Sequence, residues 1–230
     1  ATTRVDRGCP YDCGLCPDHR QETCTALLEV TQRCDLQCNF CFASAGKDVP
    51  DPTLEVIHGW YNSLLQSKGP CNVQLSGGEP TLRDDLPDIV ALGRSLGFTF
   101  LQVNTNGMRL ARDPDYVRAL REAGLESVFL QFDGVDDAVY AQLRGRSLLA
   151  AKEAAIEHCA ENGLGVILVP VLVPGVNTSA IGDIVRFALE RAPVVRGIHF
   201  QPVSYFGRYP AAPDDSARIT LPEVIHALET

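Results

Sequence analysis

The sequence predicts an α/β fold, a parallel sheet covered by helices, preceded by a small cysteine-rich metal-binding head. Six short β-branched or apolar runs alternate with segments of helical period. The runs read as apolar rather than alternating, the pattern of strands covered on both faces. Seven of the nine cysteines fall within residues 9–41, and clustering of that kind marks metal sites rather than a disulfide framework.

The expected strands are TALLEV (25–30), NVQLS (72–76), FTFLQVN (98–104), SVFLQF (127–132), GVILVPV (165–171) and GIHFQPV (197–203). Between them, Asp51-Pro52 opens a helix carrying Leu54, Ile57, Tyr61, Leu64 and Leu65, and Asp113-Pro114 opens one carrying Tyr116, Val117 and Leu120. Further helices are expected at 85–96 and 147–162, and one whose face is Ile181, Ile184, Val185, Ala188 and Leu189. Open doubly wound sheets and barrels both fit this order, and in both the active site forms at the carboxyl ends of the strands. Those ends read TQRCDLQC, SGGEPT, NTNG, FDG, VPGVN and PVSYFG. Polar and glycine-rich chemistry is thus gathered on one face.

A chain of 230 residues, 45% apolar and 21% charged, can bury a substantial core. A net charge of −9 with no Lys/Arg-rich stripe speaks against nucleic acid as the partner. The longest apolar stretch, GVILVPVLVPGV, is broken by prolines and too short to span a bilayer, so the chain is not expected to be transmembrane. The cysteine usage suggests a reducing, cytoplasmic setting. Both ends read as cut, since LPEVIHALET begins a helix just as the sequence stops.

The stretch CDLQCNFC places Cys34, Cys38 and Cys41 on the loop after the first strand. Structural zinc and closed iron–sulfur clusters take four ligands; three thiolates on a cubane leave one iron open to activate a small molecule. The competing reading is zinc with a distant fourth ligand. The head repeats the spacing at Cys9, Cys13 and Cys16 and adds Cys24, a set of four that closes a site, with His19 as a rival ligand. A saturated 4Fe–4S cluster is preferred there over a mononuclear iron or zinc. Cys24 opens the first strand and Cys34 follows its end, so the two sites are expected roughly 20 Å or more apart. Cys71 and Cys159 read as buried free thiols.

With Phe40 just before Cys41, with Gly77-Gly78-Glu79-Pro80 ending the second strand, and with NTNG and FDG ending the third and fourth, the chain resembles the radical S-adenosylmethionine (radical SAM) superfamily. The resemblance runs from residue 25 to about 205 and implies a partial (β/α)6 TIM-type barrel with parallel strands. It implies that Cys34, Cys38 and Cys41 hold a 4Fe–4S cluster which chelates S-adenosylmethionine and reductively cleaves it to a 5′-deoxyadenosyl radical. Gly77 and Gly78 are expected to let the backbone approach the methionyl amine. Thr105, Asn106, Gln131, Asp133 and Asn177 stand where relatives contact the adenosyl and carboxylate groups, although the glycine-linked pairs Asn106-Gly107 and Asp133-Gly134 also read as ordinary turns. Gln131 and Asp133 fall on one strand face, so at least one is expected in the cavity.

The head motif GCPYDCGLCPDH resembles, more narrowly, the subgroup of tetraether lipid synthase and dihydropterin methylase-like proteins. That likeness implies methyl transfer or carbon–carbon bond formation on a lipid or small heterocycle, with an electron donor such as ferredoxin or flavodoxin. The organisation is expected to be residues 1–24 as an auxiliary metal-binding segment, 25–205 as the core and 206–230 as the start of a further region. A peptide maturase and a non-catalytic iron–sulfur electron carrier are the alternatives. Trp60, Tyr205, Phe206 and Tyr209 are candidates to line an apolar cavity, or plain packing.

Overall fold

The computed structural model describes residues 25–46, 49–67 and 69–229; the head, with Cys9, Cys13, Cys16, Cys24 and His19, lies outside the described residues. The strands are β1 (Thr25–Thr31), β2 (Asn72–Gly77), β3 (Leu101–Thr105), β4 (Ser127–Gln131), β5 (Gly165–Val169), β6 (Val171–Leu172), β7 (Val195–Ile198) and β8 (Gln201–Pro202). Six of them form one sheet in the order β1-β2-β3-β4-β5-β7, every pairing parallel. This order never reverses. A doubly wound sheet has a switch point where it does, so the sheet is the partial barrel, open between β1 and β7.

The helices are α1 (Leu54–Ser67), α2 (Leu86–Ser95), α3 (Met108–Arg112), α4 (Pro114–Glu122), α5 (Asp137–Arg144), α6 (Leu149–Glu161), α7 (Ile181–Glu190) and α8 (Leu221–Glu229). Asp113 caps α4 by accepting from Tyr116 N at 3.1 Å, as its place before Pro114 predicts. The helix expected after Asp113-Pro114 begins there, and α8 is the helix expected in LPEVIHALET. The expected third strand loses its first residues because Phe98 turns under α2 and packs on Tyr61, ring centroids 5.0 Å apart. Pro170 offers no amide to the ladder and splits the fifth run into β5 and β6. The short α3 and α5 were hidden in sequence because each has little more than a turn or two to show a period.

One expectation needs correcting. The first four strands alternate, while GVILV of β5 is apolar on both faces as expected. Val73, Leu75, Val103, Val128, Leu130, Val166 and Leu168 are buried against the helices in the main core, whereas the inner face of β2 to β4 is polar except at Phe129. There Gln74 Nε2 donates to Gln102 Oε1 at 2.7 Å, and Gln102 Nε2 to Ser127 Oγ at 3.2 Å. The register that pairs Gln74 with Gln102 and Gln102 with Ser127 makes this ladder. Gln102 and Ser127 are buried there, so the ladder supplies the partners that water does not.

No helix among the described residues is long and apolar enough to cross a membrane. Leu75 has no exposed surface. Leu75→Ala is expected to remove about 2–5 kcal/mol of unfolding free energy, seen as a lower guanidinium midpoint with an unchanged slope.

Candidate active site

The cysteine loop leaves β1 and is caught at once by the tip of β2. Gly78 N donates to Thr31 O at 2.8 Å and Glu79 N to Arg33 O at 2.7 Å. Both glycines follow from this contact. A Cβ on Gly77, which has φ +128°, would lie 2.0 Å from Thr31 O, and one on Gly78 would lie 2.0 Å from Arg33 O. The direction a side chain would take is therefore filled by the tail of β1. The close approach that demands glycine is chain to chain, and the opposite side of both residues faces the cavity.

Asp51 anchors the same turn, accepting from Thr31 Oγ1 at 2.5 Å and Arg33 Nε at 3.1 Å. On the far side, Asn39 N donates to Leu143 O at 3.1 Å and Asn39 Nδ2 to Gln142 O at 2.7 Å, which ties the loop to the end of α5. Cys34, Cys38 and Cys41 then line one cavity of about 190 Å³, with Phe40, Gly77, Gly78, Glu79, Thr105, Asn106 and Gln131 on its other walls. All three thiols are free. Leu36, Met108, Tyr140 and Leu148 form a small apolar cluster packed against Cys34 and Cys38.

Glu79 is buried and its carboxylate is fully engaged. Oε1 accepts from Thr81 N at 3.0 Å, Thr81 Oγ1 at 2.6 Å and Thr105 Oγ1 at 2.6 Å, and Oε2 accepts from Asn106 N at 2.6 Å. Burial pushes its carboxyl above the ordinary value, while the donors from Asn106, Thr105 and Thr81 pull the other way. The side chain of Glu79 thus joins the tips of β2 and β3. Pro80 is buried and starts the single turn that follows.

Asp133 and Asn177 are placed differently from expectation. Asp133 has no exposed surface and forms a two-pronged pair with Arg144, Nε to Oδ2 at 2.7 Å and NH2 to Oδ1 at 2.8 Å. Asn177 is equally buried; its Nδ2 donates to Asp133 O at 2.9 Å and Val171 O at 2.8 Å, and its Oδ1 accepts from Val173 N at 2.8 Å. Both therefore brace the strand ends from inside instead of lining the cavity. Gln131 does line it, and its amide hydrogen-bonds Asp133. Beneath lies Lys152, fully buried, donating to Asn106 O at 2.5 Å and Gln131 Oε1 at 2.8 Å.

Sequence reasoning missed Arg144, Asn104 and Lys152. Arg144 and Asn104 both line the cavity. Arg144 ends a helix too short to recognise, and Lys152 in AAKEAAIEH reads as a solvated helix residue. Asn104 points from the inner face of β3, visible only once the strands are seen to alternate. Trp60 packs against the main core. Tyr205 stacks edge-on against Phe40, centroids 6.1 Å apart, while Phe206 is largely exposed. Burial pushes the Cys159 thiol up to about 12, and Cys71 is half-buried against the core.

The sequence model described as the radical SAM superfamily matches residues 28–188. The chain belongs to that superfamily. It is 45% identical over 99% of its length to the 7,8-dihydro-6-hydroxymethylpterin dimethyltransferase of Methanocaldococcus jannaschii, covering 46% of that protein. It is 31% identical to the GTP 3′,8-cyclase of Erythrobacter litoralis over 70% of this chain and 49% of that one. The chain thus spans about half the length of these curated relatives. Among solved structures, Streptococcus suis SuiB bound to S-adenosylmethionine superposes with a TM-score of 0.66 at 18% identity, over 90% of this chain and 46% of that chain. Methylornithine synthase gives 0.68 at 15% identity, over 89% and 61%. At such identities these two attest the fold.

Membership in the radical SAM superfamily implies a 4Fe–4S cluster and S-adenosylmethionine, and the residues fit both. Cys34, Cys38 and Cys41 leave one loop and line one cavity, three thiols available to a cluster. Burial pushes the Cys34 thiol up to about 11. Asn104 Oδ1 is buried on the same cavity with no hydrogen-bond partner among the described residues, an acceptor waiting for a donor from a ligand.

Glu79→Gln puts an amide N–H toward groups that themselves donate. It is expected to cost about 2–4 kcal/mol, measured by denaturant unfolding, with the free-energy loss shared by Thr105→Val in a double-mutant cycle. Lys152 gives a pH-dependent test. Burial holds its amine at about 7, against an ordinary 10.5, with the Asp133, Glu79 and Cys38 charges opposing that shift and Arg144 reinforcing it. Between those pH values the unfolded chain binds the extra proton, so this group's contribution to stability rises with pH from about 7 to 10.5 and is flat below. The stability difference between the parent and Lys152→Met is expected to climb across that window by up to about 1.4 kcal/mol per pH unit; parallel curves would show that the amine is not desolvated.

Proposed function

We propose that the chain is the radical-generating core of an enzyme that transfers a methyl or similar one-carbon group to a small fused heterocycle of the pterin class. The observation that carries this reading is a second cleft, of about 490 Å³, opening directly off the cysteine cavity and sharing Phe40, Cys41, Phe42, Val171 and Gln201 with it. Phe40, Phe42, Phe200 and Phe206 give it flat apolar walls, and His199, Gln201 and Ser204 give it hydrogen-bonding groups. Aromatic faces with a few polar groups suit a planar heterocycle. The 45% identity to a protein named for dimethylating a hydroxymethyl-dihydropterin supports the same class. Joining of lipid chains is set behind it, because His199, Gln201 and Ser204 would be left without partners against an alkyl chain.

In this reading Cys34, Cys38 and Cys41 hold the 4Fe–4S cluster, which when bound supplies the electron that cleaves S-adenosylmethionine. The chain's own residues do the placing. Arg144 is held rigid by Asp133 and offers a cation at the cavity wall, suited to a carboxylate. Asn104 and Gln131 present polar atoms to hydroxyl or amine groups. Phe40 lines both chambers, where its ring would lie between the cluster side and the heterocycle. Cys9, Cys13, Cys16 and Cys24 carry a second metal, a saturated 4Fe–4S cluster ahead of a mononuclear ion, and a ferredoxin or flavodoxin supplies electrons.

Anaerobic reconstitution tests the assignment. About eight irons per chain are expected, falling to about four in the combined Cys34→Ala, Cys38→Ala, Cys41→Ala variant. S-adenosylmethionine cleavage should vanish with them; because that cleavage leaves the methyl group on methionine, the readout is 5′-deoxyadenosine formed in the presence of a reduced pterin, expected only with the parent protein. A variant that keeps about four irons and still cleaves would reverse the assignment of the two clusters.

A further inference from the structure

The segment after β8 returns to the cysteine loop and closes on it. Cys41 and Arg208 exchange both backbone hydrogen bonds as an antiparallel bridge, 2.9 Å in each direction. Arg208 Nε donates to Cys38 O at 2.8 Å and NH1 to Ala45 O at 3.3 Å. The guanidinium therefore spans the loop from its second cysteine to its far end. Among the described residues no carboxylate pairs with Arg208; its side-chain partners are loop carbonyls.

The preceding residue fits the same contact. Gly207 has φ +73°, and a Cβ there would sit 2.4 Å from Phe42 O and 2.5 Å from Cys41 O. A side chain would push the bridge apart. Aromatic pairs flank it, Phe40 with Tyr205 at 6.1 Å and Phe42 with Phe206 at 6.4 Å. The loop between Gln32 and Gly46 is in neither helix nor strand apart from the single bridge at Cys41, so such contacts are what give it a fixed shape.

We propose that Arg208, seated by Gly207, is a positioning residue for the iron–sulfur site: it fixes the spacing of Cys38 and Cys41, and its charge favours the reduced, more negative state of the group they bind. Iron–sulfur potentials respond to nearby charge, hydrogen bonding and solvent exposure. A cation held within a few ångströms of a cysteine carbonyl, half sheltered from water, acts at low screening. The proposal rests on Cys34, Cys38 and Cys41 being the cluster ligands.

The test uses the whole chain, reconstituted anaerobically, as Arg208→Gln, Arg208→Lys and Gly207→Ala, with Arg218→Gln as a control for loss of an exposed arginine charge. Circular dichroism checks the fold; iron content, the electron paramagnetic resonance spectrum of the reduced protein and a dye-mediated potential titration read the cluster. The cluster's own signal is the part that disappears in the triple cysteine variant. Arg208→Gln is expected to move that signal to a more negative potential, broaden its line shape and shorten iron retention under a chelator by several-fold. Arg208→Lys should restore much of the potential, as charge alone does, but not the line shape. Gly207→Ala should disturb line shape and retention with the charge still present. A folded Arg208→Gln protein whose potential, line shape and retention match the parent overturns the proposal. If no signal disappears in the triple cysteine variant, the ligand assignment fails instead, and the role of Arg208 falls with it.

Discussion

A buried carboxylate sets the geometry of the active face. Glu79 arrives at the end of β2 with its backbone already fixed by Arg33, and its side chain then collects donors from Thr81, Thr105 and Asn106. Asn106 passes the constraint on, its Nδ2 donating to Asp35 Oδ1 at 2.7 Å in the cysteine loop. The tips of β1, β2 and β3 are therefore one hydrogen-bonded unit. Hydrogen bonds to a buried charge are stronger than neutral ones, and removing any donor leaves that charge exposed to a medium that does not solvate it. This is why a motif of four residues can hold a fixed place in an otherwise irregular region.

Beneath that unit a second polar layer spans the other half of the sheet. Asp133, Arg144, Gln131 and Lys152 connect β4, α5 and α6, and Asn177 ties the same point to the loop after β6. A sheet that closed into a full barrel would fill its centre with layers of apolar side chains. This one stays open, and its inner wall carries amides and charges that need partners. The partners are supplied in the structure nearly throughout; Asn104 Oδ1 is the exception among the described residues, and it sits on the cavity where a ligand is expected.

What the sequence disclosed depended on how local each signal was. The spacing Cys34, Cys38, Cys41 and the run Gly77-Gly78-Glu79-Pro80 are contiguous, and the structure brings them to one cavity. The positions of the later strands were legible because glycine or proline lies close to their ends, as Pro70 and Gly77 do around NVQLS; the barrel order was implied only by the resemblance. Asp133 and Asn177 were sought in the cavity because they follow strand ends, yet their partners, Arg144 and the backbone of Val171 and Val173, turn them inward. No periodicity encodes that. Lys152 was invisible for the opposite reason: its acceptors lie 46 and 21 positions away, and an isolated lysine in an alanine-rich helix carries the pattern of a surface residue.

The same distinction between local and distant signals bears on what the cysteine loop itself contributes. Three thiols at the right spacing specify a ligand set, but the loop that carries them has no ladder or helix of its own. It is held by β1 and β2 at its start, by α5 at Asn39, and by residues 207–208 at Cys41. Those grips come from segments up to 170 positions away. An isolated peptide of the loop would keep the ligands and lose every one of these restraints, so binding would have to bear the ordering entropy that the fold here has already met. The spacing decides which group is bound; the distant restraints decide how firmly it is held and in what electrostatic surroundings. The second is where relatives that share the motif have room to differ.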